Sequence, residues 1–340
     1  MAARIAINGY GRIGQSVLRA LFERKLETTL QPVAINELAE IETISYLTRY
    51  DTTHGRFPGS VRVEGDGLII GDQSIRVLNV KNPSDLPWEA LGIDLLFECS
   101  GSFSDRATAT QHLKSGAPRL LFSQPATSDV DATVVFGLNE HSVSASDQIV
   151  SAASCTTNCV IPVLDALDRE FGIDYGVTTT IHSAMNDQPV IDSYHNTDLR
   201  LTRSALQSII PVDTGLSKGI DRLLPHLEGR FKCRHIRVPT TNVSLMDMSI
   251  SLQRDTTEAE VNALFKEIAN GPLKGLLGFT EEAHASVDFN HDSHSVVVDG
   301  TQTCVSGKRL LKLVCWFDNE WGFANRMLDI AEHWLALEQN

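Results

Sequence analysis

Short apolar runs alternate with segments of helical spacing through the first part of the chain. Arg4 to Asn8 (RIAIN) reads as a buried strand, and Gln15 to Phe22 (QSVLRALF) places Val17, Leu18, Leu21 and Phe22 on one helical face. Pro32 to Asn36 (PVAIN) returns to strand, and Asp94 to Cys99 (DLLFEC), Arg119 to Ser123 (RLLFS) and Thr133 to Gly137 (TVVFG) predict three more. Strands separated by helical patterns predict βαβ units and a parallel sheet. Gly65, Gly67 and Gly71 punctuate an inserted stretch that reads as short antiparallel strands.

The pattern changes after about Ala153. A helix is expected from Thr156 to about Phe171, stopped by Gly172 and followed by the β-branched run YGVTTTIHS. Ser183 to Ser208 is polar with little periodicity, and so long a stretch inside a compact domain is functional or disordered. HIRVPTTNVSLMDMSISL and SHSVVVD predict strands, mostly antiparallel, and an amphipathic helix from about Asn325 to Leu337 is expected to return to the first domain. The fold class expected is α/β: an N-terminal Rossmann-type parallel-sheet domain over residues 1–153, completed by a C-terminal helix within 319–340, and an α+β catalytic domain with a mostly antiparallel sheet over 154–318. The length, 340 residues, suits two domains with a core each.

Composition narrows the function class. Hydrophobic residues make up 42% and charged residues 21%, which suits a globular enzyme and excludes disordered or fibrous chains. The net charge of −14 argues against nucleic-acid partners and against an anionic membrane surface, so an anionic ligand must be caught by local basic groups. Six cysteines without a CxxC pair give neither a disulfide scaffold nor a metal motif. No run is long and apolar enough for a membrane span, the N-terminus shows no leader pattern, and a reducing, cytoplasmic compartment is expected.

Two places carry chemistry. Gly9, Gly11 and Gly14 form GxGxxG between the first strand and the first helix, and Glu37 ends the second strand, which is the arrangement for a dinucleotide. Glycines let the backbone approach a pyrophosphate at the helix N-terminus, and a carboxylate holds ribose hydroxyls while repelling a 2′-phosphate, so NAD is expected. Asn36 is the alternative ribose contact. Further on, Ser154-Cys155-Thr156-Thr157-Asn158-Cys159 precedes a helix, with Ser154 or a threonine as its N-cap. Cys155 there is expected to feel the positive helix end, which lowers a thiol pKa. A small buried core residue is the competing reading. His182 ends the β-branched strand and is placed to activate a thiol, although a satisfied core histidine has the same signature. Arg200, Arg203 and Arg237 are candidate anion clamps, with Thr156, Thr214 and Gly215 as donors.

INGYGRIG, SAASCTTNC, TTIHS, SIIPVDTG, IRVPTTNVS and WFDNEWGFANR together resemble the glyceraldehyde-3-phosphate dehydrogenase family over nearly the whole chain. The resemblance implies Cys155 as nucleophile and His182 as its base. It puts Arg12 and Ile13 on the pyrophosphate, Glu37 by the adenosine ribose, Ser123 in the cofactor cleft and Asn319 on the nicotinamide carboxamide. Ser154, Cys155, Thr156, Thr214, Gly215 and Arg237 would surround the substrate and its phosphate. It also implies a homotetramer, with the Ser183 to Ser208 stretch at a subunit contact.

Departures from the family pattern point to one branch. Met185 stands where a threonine hydroxyl normally meets the substrate phosphate, and a thioether cannot donate a hydrogen bond. Leu201 replaces one of a pair of arginines, leaving Arg200 to take over, and Lys81 stands where an arginine near the adenine is common. HSAMNDQ, VIDSYH, VDFNHDSHS and VDGTQT resemble the branch that oxidises erythrose 4-phosphate, one carbon longer than glyceraldehyde 3-phosphate. The resemblance implies NAD-dependent oxidation to 4-phosphoerythronate through a Cys155 thiohemiacetal and a thioester released by water, within pyridoxal phosphate synthesis. The alternative is the glycolytic, phosphorylating enzyme, in which inorganic phosphate releases the thioester.

Overall fold

The computed structural model describes residues 2–195 and 198–337. Two residues of the long polar stretch, Asn196 and Thr197, and the last residues expected in the C-terminal segment lie outside them. The chain divides into two compact units, one running to Ser154 and resuming at Phe323, the other spanning Cys155–Gly322.

In the first unit, β1 (Ala3–Asn8), α1 (Arg12–Glu23) and β2 (Leu30–Asn36) form a βαβ unit whose strands pair in parallel. After α2 (Ile41–Arg49) comes a small hairpin, β3 (Tyr50–Asp51) and β4 (Gly55–Arg56). Then β5 (Val61–Glu64), β6 (Gly67–Ile70) and β7 (Gln73–Leu78) run antiparallel, as the glycine spacing predicts. Past α3 (Trp88–Leu91), β8 (Leu95–Glu98), α4 (Arg106–Lys114) and β9 (Leu120–Phe122) continue the parallel sheet, which β10 (Ala132–Thr133) and β11 (Ile149–Ser151) complete. The strand order is β10-β11-β9-β8-β1-β2-β7-β6-β5. The order reverses direction between β1 and β8, the switch point where such sheets open a crevice at their carboxyl ends.

The strand expected over Thr133 to Gly137 is cut short. Asn139 explains it: its Oδ1 accepts from the Val135 amide at 2.8 Å and its Nδ2 donates to the Thr133 carbonyl at 2.9 Å, taking groups a ladder would use. Buried polar groups cross the carboxyl ends of the central strands. Asn8 Nδ2 donates to Glu98 Oε2 at 2.6 Å, Asn36 Nδ2 to Asn8 Oδ1 at 2.7 Å, and the Val80 amide to Asn36 Oδ1 at 2.9 Å. His112 Nε2 lies 3.2 Å from the same Glu98 oxygen, and Trp88 Nε1 donates to His112 Nδ1 at 3.1 Å. A buried carboxylate is tolerable only with such partners.

The second unit opens with α5 (Cys155–Phe171), buried on nearly every side from Thr156 to Leu164. Its core strands are β12 (Ile173–His182), β13 (Ile210–Val212), β14 (Phe231–Arg237) and β15 (Ser244–Leu252). Helix α6 (Leu216–Leu223) lies between β13 and β14, and α7 (Glu258–Asn270) follows β15. The sheet is finished by β16 (Leu277–Thr280), β17 (Val296–Asp299), β18 (Cys304–Ser306) and β19 (Leu310–Phe317). Its order is β13-β14-β12-β15-β19-β17-β16, with β18 on β19. Most pairs are antiparallel; β12 with β14 and β16 with β17 are parallel. Alternation along β12 buries Thr178, Thr180 and His182 on one face.

The last helix, α8 (Trp321–Ala336), begins earlier than its apolar spacing predicts. Asp318 is the cause: its Oδ1 accepts the amides of Glu320 at 2.9 Å and Trp321 at 2.7 Å, starting the helix there. From Phe323 onward the chain belongs to the first unit, where Arg24 reaches Asp329 at 2.8 Å and Glu332 at 3.2 Å.

Arg12, at the head of α1, pairs with Asp51 of the small hairpin through both guanidinium nitrogens. Burial pushes the Asp51 carboxyl up, but hydrogen bonds from Arg12, His54 and Thr53 outweigh it and hold it down at about 2. A depressed carboxyl stabilises the fold above its ordinary pKa and loses that contribution as pH falls through the depressed value. Asp51→Asn should therefore cost about 2 kcal/mol at pH 6, with the difference from wild type shrinking between pH ~4 and pH ~2. Urea unfolding across that range checks it; a difference independent of pH would show that the pair does not carry the shift.

Candidate active site

The first unit supplies a crevice. Gly9 turns β1 into α1 at φ +87°, and a Cβ on it would lie 2.4 Å from the Ser100 backbone. A Cβ on Gly14 would lie 2.2 Å from the Gly9 carbonyl oxygen, so both positions exclude any side chain. Gly11 differs: apart from its own chain neighbours, nothing stands within 4 Å of where its Cβ would be. The open space lies at the head of α1, and a helix N-terminus turns its first amides toward an anion. A cavity of about 360 Å³ is lined there by Gly9, Gly11, Asn36, Glu37, Lys81 and Ser100, among others.

Glu37 is built into this crevice. Its Oε2 accepts from the Tyr10 amide at 2.8 Å and its Oε1 from the Leu38 amide at 2.7 Å. Each carboxylate oxygen keeps a further lone pair. Asn36, the alternative, spends its amide hydrogens on Asn8 Oδ1 and the Val80 carbonyl. Arg12, Ile13 and Ser123 are not among the residues lining the cavity; Arg12 is turned to Asp51, and the Ser123 amide donates to the Glu98 carbonyl at 3.0 Å.

The second unit supplies a thiol and an imidazole. Ala153, in the turn from β11 to α5, has φ +59°, a left-handed conformation that is strained for a residue with a Cβ. Cys155 is the first residue of α5. His182 ends β12, and its Nε2 lies 3.8 Å from the Cys155 Sγ. Its Nδ1 is 2.8 Å from the Ser183 carbonyl oxygen. A carbonyl only accepts, so Nδ1 carries the proton and Nε2 presents a lone pair to the sulfur.

The expectation that the helix terminus lowers the Cys155 pKa is corrected by burial. Burial pushes the thiol up to about 12, against the opposing pull of the Thr156 and Cys155 amides and of Arg237; Asp318 adds to the rise. Burial likewise pushes His182 down to about 4, although the Ser183 carbonyl, Asp187 and Glu320 favour its charged form. The resting pair is thus a thiol hydrogen-bonded to a neutral imidazole, because desolvation outweighs a fraction of a helix dipole.

Arg237 is the Cα partner of His182 in the β12–β14 ladder. Its side chain is buried and donates to Asp187 Oδ1 at 2.5 Å and Gln188 Oε1 at 3.1 Å, while its Nε has no partner among the described residues. Gln188 Oε1 also accepts from the Met185 amide at 3.0 Å, which ties the 185–188 turn to Arg237. Thr214 and Gly215 lead into α6, where Thr214 Oγ1 accepts from the Leu216 amide at 3.2 Å. Asn319 Oδ1 accepts from Ser183 Oγ at 3.1 Å and Ser244 Oγ at 2.8 Å. Arg200 is exposed on a turn at 200–202, outside the contacts that gather Cys155, His182 and Arg237; Ser154 closes the other unit.

Sequence reading did not single out His235, Asp187, Gln188 or Ser244. His235 carried a signal: it is two residues from Arg237 on a strand, hence on the same face. Its ring lies on that of His182, centroids 5.0 Å apart and planes 28° from parallel.

Comparison with known families gives two matches. Residues 3–106 match the NAD binding domain of glyceraldehyde 3-phosphate dehydrogenase, and residues 154–319 match its C-terminal domain. The first match covers the crevice and the second the cysteine, the histidine and the buried arginine. The chain therefore belongs to the glyceraldehyde 3-phosphate dehydrogenase family, as an NAD-dependent dehydrogenase.

Proposed function

We propose that this enzyme oxidises erythrose 4-phosphate to 4-phosphoerythronate, with Cys155 as nucleophile and His182 as base. The observation that carries the chemistry is the Nε2 lone pair of His182 facing Sγ at 3.8 Å while Nδ1 is committed to the Ser183 carbonyl. His182 takes the thiol proton as sulfur adds to the aldehyde carbon and passes it to the carbonyl oxygen, giving a thiohemiacetal and a neutral imidazole again. The Thr156 and Cys155 amides stabilise negative charge on the sulfur. NAD, when bound, supplies the hydride acceptor. Loss of hydride from the thiohemiacetal carbon, with its hydroxyl proton passing to His182, leaves a thioester. Water then adds to the thioester carbonyl, the C–S bond breaks, and the acid leaves with the thiol restored.

The amides at the head of α1 would receive the pyrophosphate, and the remaining lone pairs of Glu37 the ribose hydroxyls. Lys81 also lines the cavity; Arg12, Ile13 and Gly14 open α1, and Ser123 follows β9. Asn319, its oxygen held by two serines, has its amide hydrogens for the nicotinamide carboxamide. Arg237, with a buried Nε lacking a partner, suits an anionic substrate, because an unsatisfied buried donor costs about 1–3 kcal/mol. Thr156, Thr214 and Gly215 would add donors, and Ser154 precedes the nucleophile; Arg200, exposed on its own turn, is kept as a substrate contact only by the family resemblance.

Met185 favours the longer sugar, since its thioether offers no hydrogen bond where the family pattern has a hydroxyl. The phosphorylating oxidation of glyceraldehyde 3-phosphate is the second reading, and the Cys155–His182 pair would serve it equally. Exposed Val190, Ile191, Tyr194, Leu199, Leu206 and Ile209 in and beside the long loop support a homotetramer contact there. Unpaired cysteines fit a cytoplasmic enzyme, and the product fits pyridoxal phosphate synthesis. No helix among the described residues is long and apolar enough to cross a membrane.

The deciding experiment measures turnover of both sugar phosphates with and without inorganic phosphate. Preference for erythrose 4-phosphate without added phosphate is expected; turnover that requires phosphate and favours the shorter sugar would support the second reading. Met185→Thr should move the kcat/KM ratio toward glyceraldehyde 3-phosphate by about tenfold, the worth of one hydrogen bond to a charged group. An unchanged ratio would place specificity elsewhere. Cys155→Ser should abolish hydride transfer and keep NAD binding. His182→Asn should slow both kcat and alkylation of Cys155 at pH 7 by about 10²-fold or more; an unchanged alkylation rate would remove histidine as the activator.

A further inference from the structure

His235 has no part in the chemistry above, yet it touches the base. It sits on β14, paired in register with Thr180 of β12 and Val212 of β13. Its ring covers one face of the His182 imidazole at 5.0 Å, and the Phe317 ring meets His182 edge-on at 6.4 Å and 68°. The bond from Nδ1 to the Ser183 carbonyl anchors one edge of the His182 ring. It does not by itself stop the ring from tilting about that edge, and a tilt swings Nε2 away from the sulfur. A flat surface against the face does stop it.

We propose that His235 is a positioning residue for the Cys155 reaction: its ring, stacked on His182, holds the Nε2 lone pair on the sulfur. The inference rests on the reading of Cys155 and His182 given above. The Nε2 of His235 is buried without a partner among the described residues, a cost that an aliphatic side chain would not carry. What the position gains is a planar face of the same size as the ring it supports.

The charges around the pair are consistent with this role. Facing His182 are Cys155 from α5, Arg237 and His235 from β14, Asp187 from the loop after β12 and Glu320 from the turn before α8. Burial, then the charges of His182 and Arg237, push His235 down to about 3, with Asp187 opposing. His235 therefore stays neutral while His182 accepts the proton, and a neutral ring under an imidazolium is attractive where a second cation would repel it.

The test uses the full-length protein with His235→Ala and His235→Phe, reading iodoacetamide alkylation of Cys155 from pH 5 to 9 together with kcat and KM. His235→Ala should slow alkylation and kcat at pH 7 by roughly tenfold with KM little changed, the cost of a misplaced reacting group. Water reaching His182 should also raise its pKa, so the acid limb of the profile moves to higher pH. His235→Phe keeps a flat ring and should stay within about threefold of wild type with the limb in place. Wild-type rates and profile in His235→Ala would overturn the proposal, as would a His235→Phe variant as slow as His235→Ala. If the alanine variant fails to fold, His235→Gln, which has no ring face, replaces it with the same expectation. His182→Asn separates the two ideas. If it leaves alkylation unchanged, the base assignment itself fails; if it slows alkylation while His235→Ala does not, only the role of His235 fails.

Discussion

The hydrogen bond between His182 Nδ1 and the Ser183 carbonyl decides whether His182 could serve as the proposed base at all. With the proton on Nδ1, the nitrogen facing Cys155 is an acceptor. With the proton on Nε2, an N–H would face an S–H and neither could take the other's proton. The bond forms because β12 ends at His182 and the next residue presents its carbonyl to the ring. Ser183 is held there by its amide donating to Ser244 Oγ at 3.3 Å and its own Oγ donating to Asn319. Ser244 opens β15 and also bonds Asn319. The end of one strand, the start of its neighbour and the turn before α8 are thus one hydrogen-bonded assembly, and the tautomer is its product.

Burial acts on both Cys155 and His182 in the direction that keeps them neutral. It opposes charge on the thiol and on the imidazole separately. Moving a proton from one to the other, however, creates two opposite charges a few ångströms apart, so the cost of the ion pair is less than the two separate penalties suggest. The two titrations belong to the pair, and neither shifted value is a property of one residue. Three features bias the transfer: the amides of Thr156 and Cys155 aimed at the sulfur, Arg237 beside it, and Asp318 pulling the other way. Since Asp318 also starts α8 and accepts from the His291 amide and Asn242, its charge is needed by the fold and tolerated by the chemistry.

Much of this was legible in the sequence, for reasons that differ by element. The crevice could be read because Gly9 and Gly14 are dictated by steric contact, and steric necessity leaves a residue signature. The strands of both sheets could be read because β12 and β15 bury alternate residues and β17 buries all of its own. The end of the Thr133–Gly137 run could not, since Asn139 competes for backbone groups from outside the strand. The sign of the Cys155 shift could not either, because a helix N-terminus is visible in a sequence while the depth of burial is set by α5 and the strands packed around it. His235 stayed hidden for a related reason. It comes within reach of His182 only through the parallel pairing of β12 with β14, two strands separated in sequence by β13 and α6.

The same pairing explains why a change in one loop can reach Arg237. Arg237 stands beside His182 in the ladder, and its guanidinium is held by two residues of the turn that follows β12, Asp187 and Gln188. Gln188 divides a single oxygen between Arg237 and the Met185 amide. A substitution at 185 that alters this turn therefore acts on the arginine through one intermediate atom, without touching the cysteine or the histidine. Under the proposed function, substrate length could change in this architecture without altering Cys155 or His182, because the loop after β12 holds the Arg237 guanidinium while the thiol and the imidazole hang from a helix head and the end of a strand.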